Sequence, residues 1–408
     1  MRYKFKFAPI LEFLIKFVFF LSFLSIPVCS FRVGLNKVTW VLTILFLVLI
    51  FINIIIKKQI KISLYFILLV GTLFSIFISV LLSKFLAFSF TPFLMVVLSC
   101  GFVLYLENNE NKTKTISSFT HIVFCALICF LVIYSILYFD NLIHFNFDRL
   151  GSDFGDINDI CLFLTLGSVF SLYYIFFNKK ILKIFCFALL FLLFTYAALS
   201  CGSKIFIFVL LIEFIALCVI RFGKKRWYFT LVIFSLLVIA FIAIMTIPAF
   251  STIATRIKAT FNLFTGKQTS GLGTDYSSMF RMDMFVDGLE MFARKPLFGW
   301  GPNSFFLYSS YGGGWSHNHI SESLCSYGIV GTILWNSPLL LSFLSLFKTN
   351  KKNILLFIAV FFFCVMISVS LDTQKIYAFV CPLIFANGDE WFFYFKNPIK
   401  FNWMHKDR

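Results

Sequence analysis

Residues 38–56 read VTWVLTILFLVLIFINIII, an uncharged run bounded by Lys37 and Lys57. Crossing a bilayer core takes roughly 20 predominantly apolar residues in a helix, which is what this run supplies. Similar runs occupy 10–30, 62–82, 85–106, 119–139, 157–177, 182–200, 204–220, 228–248, 326–347, 353–371 and 376–395. Together they predict about twelve transmembrane helices, the last weakened by Asp389 and Glu390. Composition agrees: 60% of the 408 residues are hydrophobic and 13% are charged. Soluble domains run near ~25% charged, so a soluble globular fold is excluded. The run at 10–30 follows Arg2, Lys4 and Lys6, is too long for a signal-peptide core, and has no small-residue cleavage site after it. It reads as the first span.

The net charge of +17 is distributed by topology. With alternating sides, one side collects Lys57, Lys58, Lys61, Lys112, Lys114, Lys179, Lys180, Lys183, Arg221, Lys224, Lys225, Arg226, Lys348, Lys351 and Lys352, with both basic termini. The other side holds only Arg32, Lys37, Lys84, Arg149, Lys204 and Lys375 in its short loops. This positive-inside bias puts both termini in the cytoplasm. The basic residues form no soluble patch, so no nucleic-acid partner is expected, and lipid is the surrounding medium. The eleven cysteines are scattered without a CxxC pair, which argues against a disulfide framework or a zinc site. Within helices, Glu12 and Lys16 stand at i, i+4 spacing and should pair. Glu213 is an intramembrane acid on the cytoplasmic half of its helix, with no catalytic role assigned.

The chain reads as a single membrane domain, 1–408, with a long external loop at 249–325 that is expected to be functional. Within it, SSMFRMDMFVDGLEMFARKP (277–296) predicts an amphipathic helix capped by Ser277 or Ser278 and stopped by Pro296. Met282, Phe285, Val286, Leu289 and Phe292 share its apolar face, which suits a helix lying along a membrane surface. Asp283, Asp287, Glu290 and Arg294 fall opposite, and Arg281 sits near its start. Downstream, GWGPNSFFLYSSYGGGWSHNHISESLCSYGIVG (299–331) brings His317, Asn318, His319 and Glu322 to the membrane face, just before a helix expected to begin near Ser326. Membrane proteins seldom keep such polar clusters without a function.

These elements resemble the bacterial O-antigen polymerase and O-antigen ligase superfamily. The signature H-[NSQ]-x9-G-x-x-G is met by His317, Asn318, Gly328 and Gly331. Pro296, Gly299 and Gly301 are similar to the family's P-x-x-G-x-G turn, which follows an arginine-bearing amphipathic helix; Arg281 takes that arginine's place. The stretch from Arg149 to Asn158 resembles an R-x-x-G-x-x-x-N element. Where members often carry Ser-Arg, this chain has Ser203-Lys204. Lysine keeps the charge but not the planar fork that grips phosphate. The resemblance covers roughly residues 145–347.

It implies an all-α, polytopic, GT-C-like glycosyltransferase acting on undecaprenyl-pyrophosphate-linked oligosaccharide at the periplasmic face of the inner membrane. A chain-length regulator and a flippase of the same pathway are the implied partners. Glycosyl transfer from a lipid diphosphate needs a base for the acceptor hydroxyl and positive charge for the leaving group. Histidine suits the first at neutral pH and arginine the second. His317 is therefore the candidate base, and Arg281 and Arg149 are the candidate diphosphate ligands, against an alternative as interfacial snorkelling arginines. Lys204 stands where it can face the site. Asn318 either orients His317 or a sugar, or caps the helix. Glu322 either tunes His317 or binds sugar, and His319 is expected to be exposed. Gly299, Gly301, Gly328 and Gly331 shape turns. No Asp-x-Asp clamp is placed for a divalent ion, so neither metal nor cofactor is expected. The reading is a repeat-unit polymerase, for O-antigen or capsule. The alternatives are a ligase that moves the finished glycan to lipid A core and a lipid-linked glycan flippase or exporter.

Overall fold

The computed structural model describes residues 4–29, 36–57, 60–83, 90–144, 150, 156–222, 276–311, 316–367 and 375–387, with scattered positions between 235 and 258. Among them the fold is all-α. The order is α1 (Lys4–Cys29), α2 (Asn36–Lys57), α3 (Leu64–Leu81), α4 (Phe90–Glu107), α5 (Lys112–Leu137), α6 (Phe139–Ile143), α7 (Ile157–Phe177), α8 (Ile181–Ser200) and α9 (Lys204–Phe222). After the long loop come α10 (Tyr276–Arg294), α11 (Ser304–Tyr308), α12 (His319–Thr349), α13 (Ile354–Met366) and α14 (Lys375–Asn387). Eight of these helices are long and apolar enough to cross a membrane; α4, α13 and α14 are shorter apolar helices. Eleven of the expected spans thus coincide with helices, and that at 228–248 lies, but for isolated positions, outside the described residues.

Loops assigned to the same side meet. At the lysine-rich end, Lys61 N and Lys57 Nζ bond Asn108, and Tyr173 Oη donates to Lys352 O. At the opposite end, Ser79 Oγ donates to Phe298 O, Ser203 Oγ to Asn158 Oδ1 and Tyr196 Oη to Leu142 O. Glu12 and Lys16 pair at 2.7 Å as expected.

Lipid tails are as apolar as leucine, so helices in a membrane associate through packing rather than through escape from water. The many phenylalanines serve that purpose. Phe19 lies 4.8–5.6 Å from the rings of Phe46, Phe102, Phe119 and Phe379, tying α1, α2, α4, α5 and α14 together. Such aromatic pairs contribute about 0.5–1.5 kcal/mol each beyond buried area. α7 is the central helix, buried without a break from Ile160 to Leu172, whereas α8 turns Ile181, Leu182 and Phe185 outward. Glu213 is at the midpoint of α9, not on one half of it, and is fully buried.

α12 is the element that positions the site. It begins at His319, seven residues before the expected start at Ser326, because Asn318 caps it there. It is also not one straight rod. Gly328 has φ 64° and ψ −169°, a region open essentially to glycine alone. A Cβ there would stand 2.4 Å from the Leu297 carbonyl carbon. In a continuous helix, His319 and Asn336 would be ~25 Å apart along the axis. Instead, His319 Nε2 donates to Asn336 Oδ1 at 3.0 Å. The limb from His319 to Tyr327 therefore folds back against the limb from Ile329 to Thr349. Gly331 permits the close approach, since a Cβ on it would meet Tyr327 Cβ at 2.4 Å.

Candidate functional site

The fold-back at Gly328 exposes the backbone ends of two half-helices, whose orphan donors and acceptors need partners. The turn from Pro296 to Gly301 supplies both sets. Trp300 N and Gly301 N donate to Cys325 O and Ser326 O, each at 2.9 Å, closing the end of the first limb. Ile329 N donates to Pro296 O at 2.8 Å and Val330 N to Leu297 O at 3.3 Å, opening the second. The P-x-x-G-x-G turn and the two-glycine step are thus one hydrogen-bonded unit. Gly299 and Gly301 both have positive φ within it.

The polar turn that carries His317 lies inside the bundle, not at its rim. Asn336 is seven residues into the second limb, ~10 Å below its start at a helical rise of 1.5 Å per residue. Asn318 Nδ2 donates to Ile367 O at 3.0 Å, just past the end of α13. α13 has 13 residues, ~20 Å of helix against the ~30 Å of a hydrocarbon core. Both measures put the turn ~20 Å from the lysine-rich end. The turn lies in the opposite half of the bundle.

His317 is held in a left-handed conformation, φ 51°, half-buried. Ser316 and Asn318 pin it from both sides. Ser316 N donates to Glu322 Oε2 at 3.1 Å, and Ser316 Oγ donates to Asn318 O at 3.0 Å. Asn318 Oδ1 accepts from Ile320 N at 3.0 Å and Ser321 N at 3.1 Å. Asn318 is therefore the cap, with its amide also engaged. Glu322 is fully buried and braces the backbone at Ser316. His319, expected to be exposed, is fully buried instead, because the fold-back carries it against Asn336 and the Trp335 ring.

α10 docks on the first limb. Ser321 Oγ donates to Phe285 O at 3.2 Å, and Gly288 leaves room for Ser321. Met284, Met291, Phe305 and Cys325 form a small core beneath, partly covered by Trp300 and Tyr308. The buried face is therefore Met284, Gly288 and Met291, while Met282 and Val286 of the expected apolar face are exposed. Asp287 accepts from Ser310 N and Ser310 Oγ at 2.9 and 3.0 Å, fastening the loop that follows α11.

This docking brings Arg281 within electrostatic reach of His317. The imidazole's pKa lies below its ordinary 6.5, chiefly because the ring is buried and then because the Arg281 guanidinium repels a second positive charge. Asp156 pulls the other way. That carboxylate caps α7, accepting from Asn158 N at 2.8 Å and Asn158 Nδ2 at 2.9 Å. Asn158 in turn accepts from Ser203, next to Lys204 at the start of α9. Asp159 acts electrostatically on Lys375, the first residue of α14, whose ammonium lies 4.8 Å over the Trp40 ring. The N-termini of α7, α9, α12 and α14 thus gather at one end, and their dipoles favour an anion there.

Of the residues singled out in the sequence, the structure brings together Arg281, His317, Asn318, Glu322 and the four glycines. Arg149 and the side chain of Lys204 lie outside the described residues, although Leu150 N, beside Arg149, donates to Ser200 O at 3.1 Å. Asp156, Asp159, Lys375 and Asn336 were not singled out. The one available signal was the D-I-N-D run at 156–159, an acid-rich helix start.

Residues 185–336, from α8 into the second limb of α12, match a family model described as O-antigen ligase. No curated protein matches the chain significantly. The matched segment contains Arg281, the P-x-x-G-x-G turn, His317 and both signature glycines. Members of that family are glycosyltransferase-like enzymes working on lipid-linked glycans, and the match at residues 185–336 supports the O-antigen ligase and polymerase superfamily for this multi-pass membrane protein.

Proposed function

We propose that the protein polymerises polysaccharide repeat units carried on undecaprenyl pyrophosphate, at the external face of the plasma membrane, with both termini cytoplasmic. The observation that carries this reading is that the fold brings Arg281 within electrostatic reach of a half-buried His317. The growing chain is the donor. An acceptor hydroxyl of the next lipid-linked unit attacks its anomeric carbon, the bond to the diphosphate breaks, and the diphosphate leaves with the electron pair.

His317 takes the hydroxyl proton. A depressed pKa keeps it neutral, and so able to accept, at neutral pH. Arg281 then has two roles, repelling a proton from the resting imidazole and gripping the departing diphosphate. Once His317 is protonated, Asp156 and the diphosphate both offset the new charge. Arg149 and Lys204 complete the anion site in this reading. Asn318 and Glu322 are positioning residues that fix the turn, a role supported by their bonds to backbone. The mechanism calls on no metal. Burial of the turn ~10 Å below the rim suits a substrate whose diphosphate is tethered to a lipid and enters sideways from the bilayer.

The test is the electrophoretic profile of surface polysaccharide in a deletion strain complemented with wild type or His317→Ala. Single repeats on core in the deletion and the variant, with a restored ladder in wild type, are expected. Core without repeats and long chains left on the carrier would assign a ligase instead. A full ladder from His317→Ala would remove the histidine from the chemistry.

A further inference from the structure

The lysine-rich end contains a second polar concavity, which the transfer reaction does not use. It has a volume of about 420 Å3 and lies between the ends of α5 and α7, the α12–α13 turn and the end of α14. Thr113, His121, Tyr174, Asn350, Lys352 and Asn387 line it. His121 Nδ1 donates to Ser117 O at 2.6 Å. The Tyr174 ring stacks on Phe187, and no bond from its hydroxyl is present among the described residues. The Lys352 backbone is fixed by Tyr173, while its ammonium makes no ion pair among the described residues. No acid is among the described residues that line the concavity. Its chemistry is that of an anion site built from ammonium, hydroxyl and amide donors.

A second observation names the kind of anion. His121 heads an outward stripe of α5 that continues through Cys125, Cys129, Val132 and Ile136. That stripe is apolar and runs ~22 Å along the helix, comparable with an acyl chain. A polar chamber opening onto a lipid-facing track fits a molecule with an anionic head and a hydrocarbon tail. Basic pockets between membrane helices are suited to such head groups. We propose that this concavity binds the phosphate head group of an anionic glycerophospholipid from the adjoining leaflet, with an acyl chain along the His121–Ile136 stripe.

The experiment uses delipidated full-length protein in detergent, titrated with phosphatidylglycerol, phosphatidylcholine or soluble glycerol phosphate and followed by native mass spectrometry. Saturable binding of phosphatidylglycerol, tighter than that of phosphatidylcholine, is expected. Lys352→Gln should weaken it about fivefold, the worth of roughly one lipid-facing cation, and His121→Gln should weaken it further through lost contact. Lys351→Gln, whose ammonium lies over the Phe347 ring, should leave it unchanged. Glycerol phosphate binding as tightly as the lipid would make this a soluble-anion site and overturn the proposal. So would undiminished phosphatidylglycerol binding by the His121→Gln/Lys352→Gln double variant. Should the variants not fold, a photoactivatable phosphatidylglycerol on wild-type protein decides: labelling within 113–136 supports the site, and labelling confined elsewhere rejects it.

Discussion

The two ends of the bundle spend their polar groups differently. At the Gly328 end, Asn318, Glu322, Ser321 and Asn336 bond backbone or buried side chains, and the Pro296–Gly301 turn closes both half-helices. Some buried atoms there, Ser326 Oγ and Trp335 Nε1 among them, have no hydrogen-bond partner among the described residues. At the lysine-rich end, His121, Tyr174 and Lys352 face an opening. One end holds an imidazole in a left-handed conformation by bonds from its neighbours, and the other lines an open concavity. Buried polar networks are costly when half-made, so disturbing the first end should cost more than disturbing the second.

The sharpest way to break that contrast is Gly328→Ala. The alanine would have to occupy a backbone region costing about 1–3 kcal/mol, with its Cβ pressed on the Leu297 carbonyl. We expect a lowered melting temperature in detergent and loss of the glycan ladder together; a variant as stable and active as wild type would mean that the fold-back is not what supports the site. Asn336→Leu should follow, costing about 1–3 kcal/mol because it strands the buried His319 Nε2–H. Its effect should appear first as faster proteolysis near the site and then as reduced transfer.

Arg281→Gln tests the electrostatic half of the site. Transfer should fall roughly 10–100-fold if one charged contact to the diphosphate is lost. The pH profile carries an independent signature. In wild type, the acid limb should lie below pH 6.5, because burial and Arg281 depress the imidazole's pKa. Removing the guanidinium raises that pKa and moves the limb to higher pH, whereas Asp156→Asn removes an opposing charge and moves it lower. The same depression has a stability consequence. The unfolded chain binds the His317 proton more readily, so this contribution to stability is present above pH 6.5 and is lost as pH falls through the lowered value. An acid limb that stays put in both variants would separate His317 from the two charges.

The smallest effect should come from the other end. Tyr174→Phe removes a hydroxyl with no bond among the described residues, so stability in lipid-free detergent should change by less than about 0.5 kcal/mol. A larger loss there would mean that this end is braced too.

The membrane helices, their order and the identity of His317 as a candidate were legible in the residues. Long uncharged runs are stable in lipid only as helices, so spans such as 38–56 needed no tertiary information. The histidine and glycine spacing, and the arginine on an amphipathic helix, stood out because polar groups are rare in such a chain. The depth of the site was not legible, because hydropathy averages over a window and is blind to direction. The stretch from 319 to 349 reads as apolar whether it runs straight or doubles back. Only the packing of α3, α10 and the Pro296–Gly301 turn against it decided for the fold-back, through a glycine conformation that nearby backbone holds in place. That fold-back buries His319, turns Asn318 and Glu322 into braces, and brings Asp156 from another helix within reach of His317. These contacts join residues far apart in sequence, and spacing along the chain carries no record of them.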